Sequence, residues 1–118
     1  MKTRCLFLSL ALLSTQAQAA SVKLMMSIMQ CESSLRFDVW GDDGKSFGIA
    51  QFRKETFYEF AKQAEPKMKR AGYWPPRWRN PQHQVYLLGW ALDHGFARRW
   101  TCYRKIVSGE WPRRSVVN

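Results

Sequence analysis

Glu32 has the clearest potential for chemistry in this chain. It follows Met25 by seven positions and Ile28 by four, in a stretch where Leu24, Met25, Ile28 and Met29 recur at helical spacing. Side chains four and seven apart share one helical face. The carboxylate therefore sits on or beside an apolar stripe, away from the solvated side. Partial burial disfavours its charged form and raises its pKa, and the negative end of the helix pushes the same way. A carboxylic acid held protonated near neutral pH can protonate the bridging oxygen of a glycoside. Asp42 and Asp43, ten and eleven positions later, are candidates for a second carboxylate that would direct water. Asp-Asp-Gly is also ordinary turn chemistry.

Whether this carboxyl meets a substrate outside the cell depends on the N-terminus. Lys2 and Arg4 precede an apolar run from Leu6 to Leu13, and Ala17-Gln18-Ala19 supplies small residues for cleavage. These are the three parts of a secretory signal in order. The apolar run is shorter than the ~20 residues that a membrane-spanning helix needs. Residues 1–19 are read as a signal peptide and 20–118 as one mature domain, secreted, periplasmic or cell-wall associated. Cys5 leaves with the signal. Cys31 and Cys102 remain, and in an oxidising compartment they are expected to form a disulfide.

The full chain carries a net charge of +10, and loss of Lys2 and Arg4 leaves +8. A basic exported protein favours anionic partners, and cell-wall polymers fit that setting. No nucleic-acid motif is visible, and no membrane contact is expected after signal cleavage. His83 and His94 lie eleven residues apart without a second ligand pair, which argues against a metal site. No cofactor is expected, and one compact domain acting as a monomer is.

The elements that must position Glu32 follow from periodicity and punctuation. A helix is predicted from about Ser21, its N-cap, to Ser34. A polar, turn-rich segment, Trp40 to Ser46, follows, flanked by β-like runs at Phe37 to Trp40 and Phe47 to Phe52. A second helix is predicted from Lys54 to Arg70, with Phe57, Phe60, Ala61 and Ala64 on its apolar face. Asn80-Pro81 reads as an N-cap and first-turn proline. Val85, Leu88, Ala91 and Leu92 form the next stripe, and Gly95 is its stop. A short helix from Ala97 to about Val107 completes a mainly α chain with a small turn-rich or hairpin lobe. Of the six Trp residues, Trp40, Trp74 and Trp78 fall in predicted loops where they could stack on sugars, and Trp90 and Trp100 read as core.

Two short motifs in order tie these features together. Cys31-Glu32-Ser33-Ser34 is followed by Ser46-Phe47-Gly48-Ile49-Ala50-Gln51-Phe52. The arrangement resembles the soluble lytic transglycosylase and goose-type lysozyme-like superfamily, in which a Glu-Ser pair ends a helix and a Gly-Leu-x-Gln-type motif follows a short lobe. Thr56-Phe57 and Asn80-Pro81 through Leu88 are similar to the starts of the family's later helices. The resemblance covers about Leu24 to Cys102. It implies a single lysozyme-like domain, peptidoglycan glycan strands as substrate and Glu32 as catalytic acid. Ser33 and Gln51 match cleft residues, and Ser46 and Phe47 belong to the second motif and are expected to bind substrate with them. The family's Ala-Tyr-Asn-x-Gly-like motif is missing. Arg98 to Tyr103 stands in its place, with Tyr103 the candidate for the lost Tyr.

Two mechanisms are compatible with this pattern. A transglycosylase needs Glu32 alone, as acid and then as base toward the muramic C6 hydroxyl. A hydrolytic lysozyme would add Asp42 or Asp43. A cell-wall binding protein without catalysis is the third expectation to be tested.

Overall fold

The structure is a computed structural model that describes residues 22–112. The expected signal peptide and the expected N-cap Ser21 lie outside the described residues. The chain is mainly α with a small antiparallel β lobe. The first helix, α1, covers residues 22–33. The lobe follows: β1 (Trp40–Gly41), a 3-10 turn (Asp42–Gly44), β2 (Ser46–Phe47) and β3 (Phe52–Arg53). The helices α2 (Lys54–Gln63), α3 (Glu65–Ala71) and α4 (Pro81–Asp93) come next. A 3-10 turn (Ala97–Arg99) then leads into α5 (Thr101–Val107).

The α1 stripe is as the spacing requires, with Ile28 and Met29 buried and Glu32 half-buried beside them. Two consecutive left-handed residues, Ser34 (φ 54°) and Leu35 (φ 62°), end the helix. Side chains resist that conformation at a cost of roughly 1–2 kcal/mol each, so the chain turns sharply just past Glu32.

The predicted second β run, Phe47 to Phe52, is two strands. Gly48 (φ 93°) and Gln51 (φ 52°) adopt left-handed backbone and fold the run into a four-residue turn between β2 and β3. The pairing is Phe47 with Phe52 and Ser46 with Arg53. The run before the turn contributes only Trp40 as strand, paired with Phe47.

The single helix predicted from Lys54 to Arg70 is also two. Pro66 sits in the first turn of α3. It has no N–H to donate back to Lys62, and its ring crowds that carbonyl. Helix α2 therefore stops, and Ala64 hinges the two pieces. The apolar face continues across the break, so Phe57, Phe60, Ala61, Ala64 and Met68 are all buried. Helix α4 begins as expected: Asn80 Oδ1 accepts from the N–H of Gln82 (2.9 Å) and of His83 (3.2 Å). Its buried face is centred on Gln84, Leu87, Leu88 and Ala91, with Val85 and Leu92 packed at the margin. The final helix is likewise in two parts, with Trp100 in extended backbone between the 3-10 turn and α5.

Aromatic rings fill the centre. Phe52 meets Phe57, Phe60 and Trp100 edge to face, with centroids 5.2 Å apart for the Trp100 pair. Trp90 and Trp100 are core, as expected. Helix α1 comes close to α4 at Gly89, where a Cβ would lie 3.2 Å from Met25 Sδ.

Candidate active site

A cleft of about 740 Å³ opens between the β lobe and α5, with Glu32 among the residues that line it. One contact reaches the carboxyl itself, and its two neighbours along the chain are fixed as well. The disulfide Cys31–Cys102 ties the residue before Glu32 to the start of α5, with the Cα atoms 5.9 Å apart. The Cys102 N–H points at Glu32 Oε2 from 3.5 Å. Ser33, the next residue, is buried, and its hydroxyl lies within donating reach of Ile49 O (2.7 Å) and Met29 O (3.0 Å). The end of α1 is thus fixed to α5 on one side and to the β2–β3 turn on the other.

Burial raises the Glu32 pKa above its ordinary value, and the negative charge of Asp42 adds to the effect. The Cys102 N–H and the charges of Lys105 and Arg104 oppose it without cancelling it. The carboxyl is thus biased toward its protonated form inside a water-accessible cleft.

The lobe wall of the cleft includes Gly41, Asp42, Ser46, Gln51 and Arg53. The Ser46 hydroxyl donates to Asp42 Oδ2 (3.0 Å), and Arg53 Nη2 lies 3.7 Å from the same oxygen. Gln51 faces the cleft, and its amide braces the lobe by donating to Val39 O (3.1 Å) and Gly48 O (3.0 Å). A Cβ at Gly41 would collide with Gln51 Oε1, so a side chain there would have to push the Gln51 amide out of its place. Asp42 and Asp43 are also in left-handed backbone. All five described non-glycine residues with positive φ, Ser34, Leu35, Asp42, Asp43 and Gln51, lie in the stretch that borders Glu32. Strain of this kind concentrates where a fold must present groups at fixed positions.

Of the residues singled out from the sequence, Glu32, Ser46, Gln51 and Asp42 come together in the cleft. Ser33 is spent on the backbone. Phe47 is buried in a ring cluster with Trp40 (4.8 Å) and Trp78 (6.0 Å). Tyr103 packs against the core instead of lining the cleft. Among the tryptophans expected to stack on sugars, Trp78 is partly buried and its Nε1 donates to Phe52 O (2.9 Å). Trp40 is exposed but lies outside the cleft lining, and Trp74 does as well.

Two kinds of residue were missed. Thr56, Thr101, Lys105 and Trp111 line the cleft, and their role depends on how α5 is set against the lobe, which local patterns do not encode. Gln84 is the other. It is fully buried in α4, its Nε2 donates to Phe47 O (2.8 Å) and Trp78 O (2.7 Å), and its Oε1 accepts from Ala50 N–H (3.1 Å). A Cβ at Gly48 would fall 2.5 Å from that Oε1, which is why glycine stands there. Gln84 thereby shapes the turn that Ser33 grips.

A separate cavity of about 580 Å³ shares no residue with this cleft and is lined by Met25, Tyr73, Val85, Tyr86 and Trp90 among others. Among the described residues, no three His, Cys, Asp or Glu side chains converge as metal ligands. His83 Nδ1 accepts from Arg77 N–H (2.9 Å). Burial and the Arg77 charge lower the His83 pKa, so the ring favours its neutral form. His94 stacks on Trp90.

The fold and site together define a small, mainly α domain with a disulfide-braced, acid-bearing cleft. Comparison with family models, curated proteins and solved structures returns no match.

Proposed function

We propose that this chain is an exported peptidoglycan-cleaving enzyme of the lytic transglycosylase kind, acting on the β-1,4 bond between N-acetylmuramic acid and N-acetylglucosamine. The observation that carries the reading is the Glu32 carboxyl: half-buried, biased toward its protonated form, and open to a cleft with room for sugar rings. The Cys31–Cys102 disulfide fits an oxidising compartment. Among the described residues, no helix is long and apolar enough to cross a membrane.

In the proposed reaction, Glu32 gives its proton to the glycosidic oxygen as the C1–O bond breaks. The substrate's N-acetyl group shields the cationic C1. The Glu32 carboxylate then takes the proton of the muramic C6 hydroxyl as that oxygen bonds to C1. The acid is regenerated and a 1,6-anhydro sugar leaves. Mature protein incubated with peptidoglycan is expected to release muropeptides with the anhydro mass. Products heavier by one water would instead indicate hydrolysis. Binding without release would overturn the enzymatic reading.

Hydrolysis is the second reading because Asp42 lines the same cleft and its charge acts on Glu32. Asp42→Asn separates the two. It removes a charge that raises the Glu32 pKa, so the alkaline limb of the pH–rate profile moves to lower pH. In a transglycosylase the rate at acidic pH is retained. In a hydrolase that uses Asp42 to direct water, the rate falls by about a hundredfold or more at every pH.

A further inference from the structure

The wall of the cleft facing the lobe is built by α5 and the residues just after it. Helix α5 ends at Val107, and Gly109 takes the left-handed conformation (φ 81°) that reverses the chain. The N–H groups of Glu110 and Trp111 both donate to Lys105 O (2.9 and 3.2 Å). The Ser108 hydroxyl is within donating reach of the same carbonyl (3.2 Å) and of Glu110 Oε1 (3.0 Å). This cap folds Trp111 back over the turn that bears Lys105, so the two side chains line the cleft together with Glu32.

Their surroundings suit a ligand. Trp111 is only half-buried although it faces the cleft, so part of a large apolar ring is left to solvent. Lys105 is exposed and, among the described residues, is in no ion pair. The other cleft cations are engaged: Arg53 with Asp42 (3.7 Å), and Arg99 with Glu59 (3.7 Å) while stacked over Phe60. Lys105 is therefore the cleft cation left to pair with a ligand, and it lines the same cleft as Trp111.

We infer that Lys105 and Trp111 form a subsite for a sugar residue bearing a carboxylate, with the indole covering the pyranose face and the ammonium pairing with the pendant acid. An uncharged glycan of N-acetylglucosamine offers the first contact without the second. The subsite thus favours muramyl residues whose lactyl acid carries no stem peptide over chitin-like chains. The inference rests on the proposed glycan-cleaving function and names the substrate feature that function would select.

Binding measured apart from cleavage tests it. Glu32→Gln protein is titrated, by tryptophan fluorescence or calorimetry, with two tetrasaccharides: one alternating N-acetylglucosamine and N-acetylmuramic acid with free lactyl carboxylates, the other N-acetylglucosamine alone. The acidic ligand is expected to bind more tightly. Adding Lys105→Met weakens it about fivefold, the upper range for an exposed ion pair, and leaves the neutral ligand unchanged. Adding Trp111→Ala weakens both by about tenfold, and Trp111→Phe restores most of the loss. Equal affinity of the parent for the two ligands, an equal Lys105→Met effect on both, or no binding overturns the subsite. Turnover by the wild-type protein, measured separately, decides the catalytic reading, so the two can fail independently.

Discussion

Glu32→Gln is expected to reduce muropeptide release from peptidoglycan by about a thousandfold, within the range that a positioned general acid contributes. The amide keeps the size of the side chain and can still accept from the Cys102 N–H. The disulfide that holds the neighbouring residue is untouched. The fold and the cleft should survive, and only the transferable proton is lost. The same substitution should make the protein more stable near neutral pH. Burial raises the Glu32 pKa in the folded chain above its ordinary 4.5, so ionisation favours the unfolded chain. Below the unfolded carboxylate range both states are protonated and the wild type is not penalised. The penalty grows as pH rises toward the folded pKa and is complete above it. Thermal melts of the two proteins should therefore diverge with rising pH, with the Gln variant higher, and converge in acid. A variant that is inactive but melts lower at every pH would point to a structural Glu32 and sink its assignment as the acid.

The largest loss of stability is expected from Gln84→Ala, about 3–5 kcal/mol by urea unfolding. Removing the side chain takes away the partners of Ala50 N–H and Phe47 O, which are buried, and of Trp78 O, which is partly buried. An unsatisfied buried polar group costs roughly 1–3 kcal/mol, and the cavity adds to it. Gln84→Leu distinguishes the causes. It refills most of the volume without restoring a hydrogen bond, so it should be nearly as damaging as Ala. Recovery of wild-type stability by Leu would mean that packing, not hydrogen bonding, accounts for Gln84.

Much of this architecture can be read from local patterns. The α1 stripe places Glu32, and the Asn80-Pro81 step starts α4. These features depend on neighbours along the chain. Pro66 was legible in principle, yet the unbroken apolar face from Phe57 to Met68 masks it, because packing continues across the hinge. The Gly48 to Gln51 stretch is β-like in composition, and its turn exists because distant side chains satisfy its backbone. Those partners lie in α1, α4 and the approach to α5. For the same reason, the motif residues divide between cleft-facing and structural positions in a way that spacing does not reveal. Gln51 reaches the cleft, Ser33 is consumed by Ile49, and Phe47 disappears into a ring cluster.

The β2–β3 turn has a consequence for how the molecule assembles. Ile49 O takes its hydrogen bond from Ser33, Ala50 O from the Trp100 indole (2.8 Å), and Ala50 N–H donates to Gln84. The separations along the chain are 16, 50 and 34 residues. A segment served from so far away gains little until three other elements have docked, while its ordering entropy is lost at once. It belongs among the last parts to organise during folding, and the wall of the cleft organises with it. Conversely, the turn cannot fray by itself without stranding its three distant partners, so its opening is coupled to the opening of the whole domain. A cleft wall made this way is rigid by cooperativity rather than by its own secondary structure.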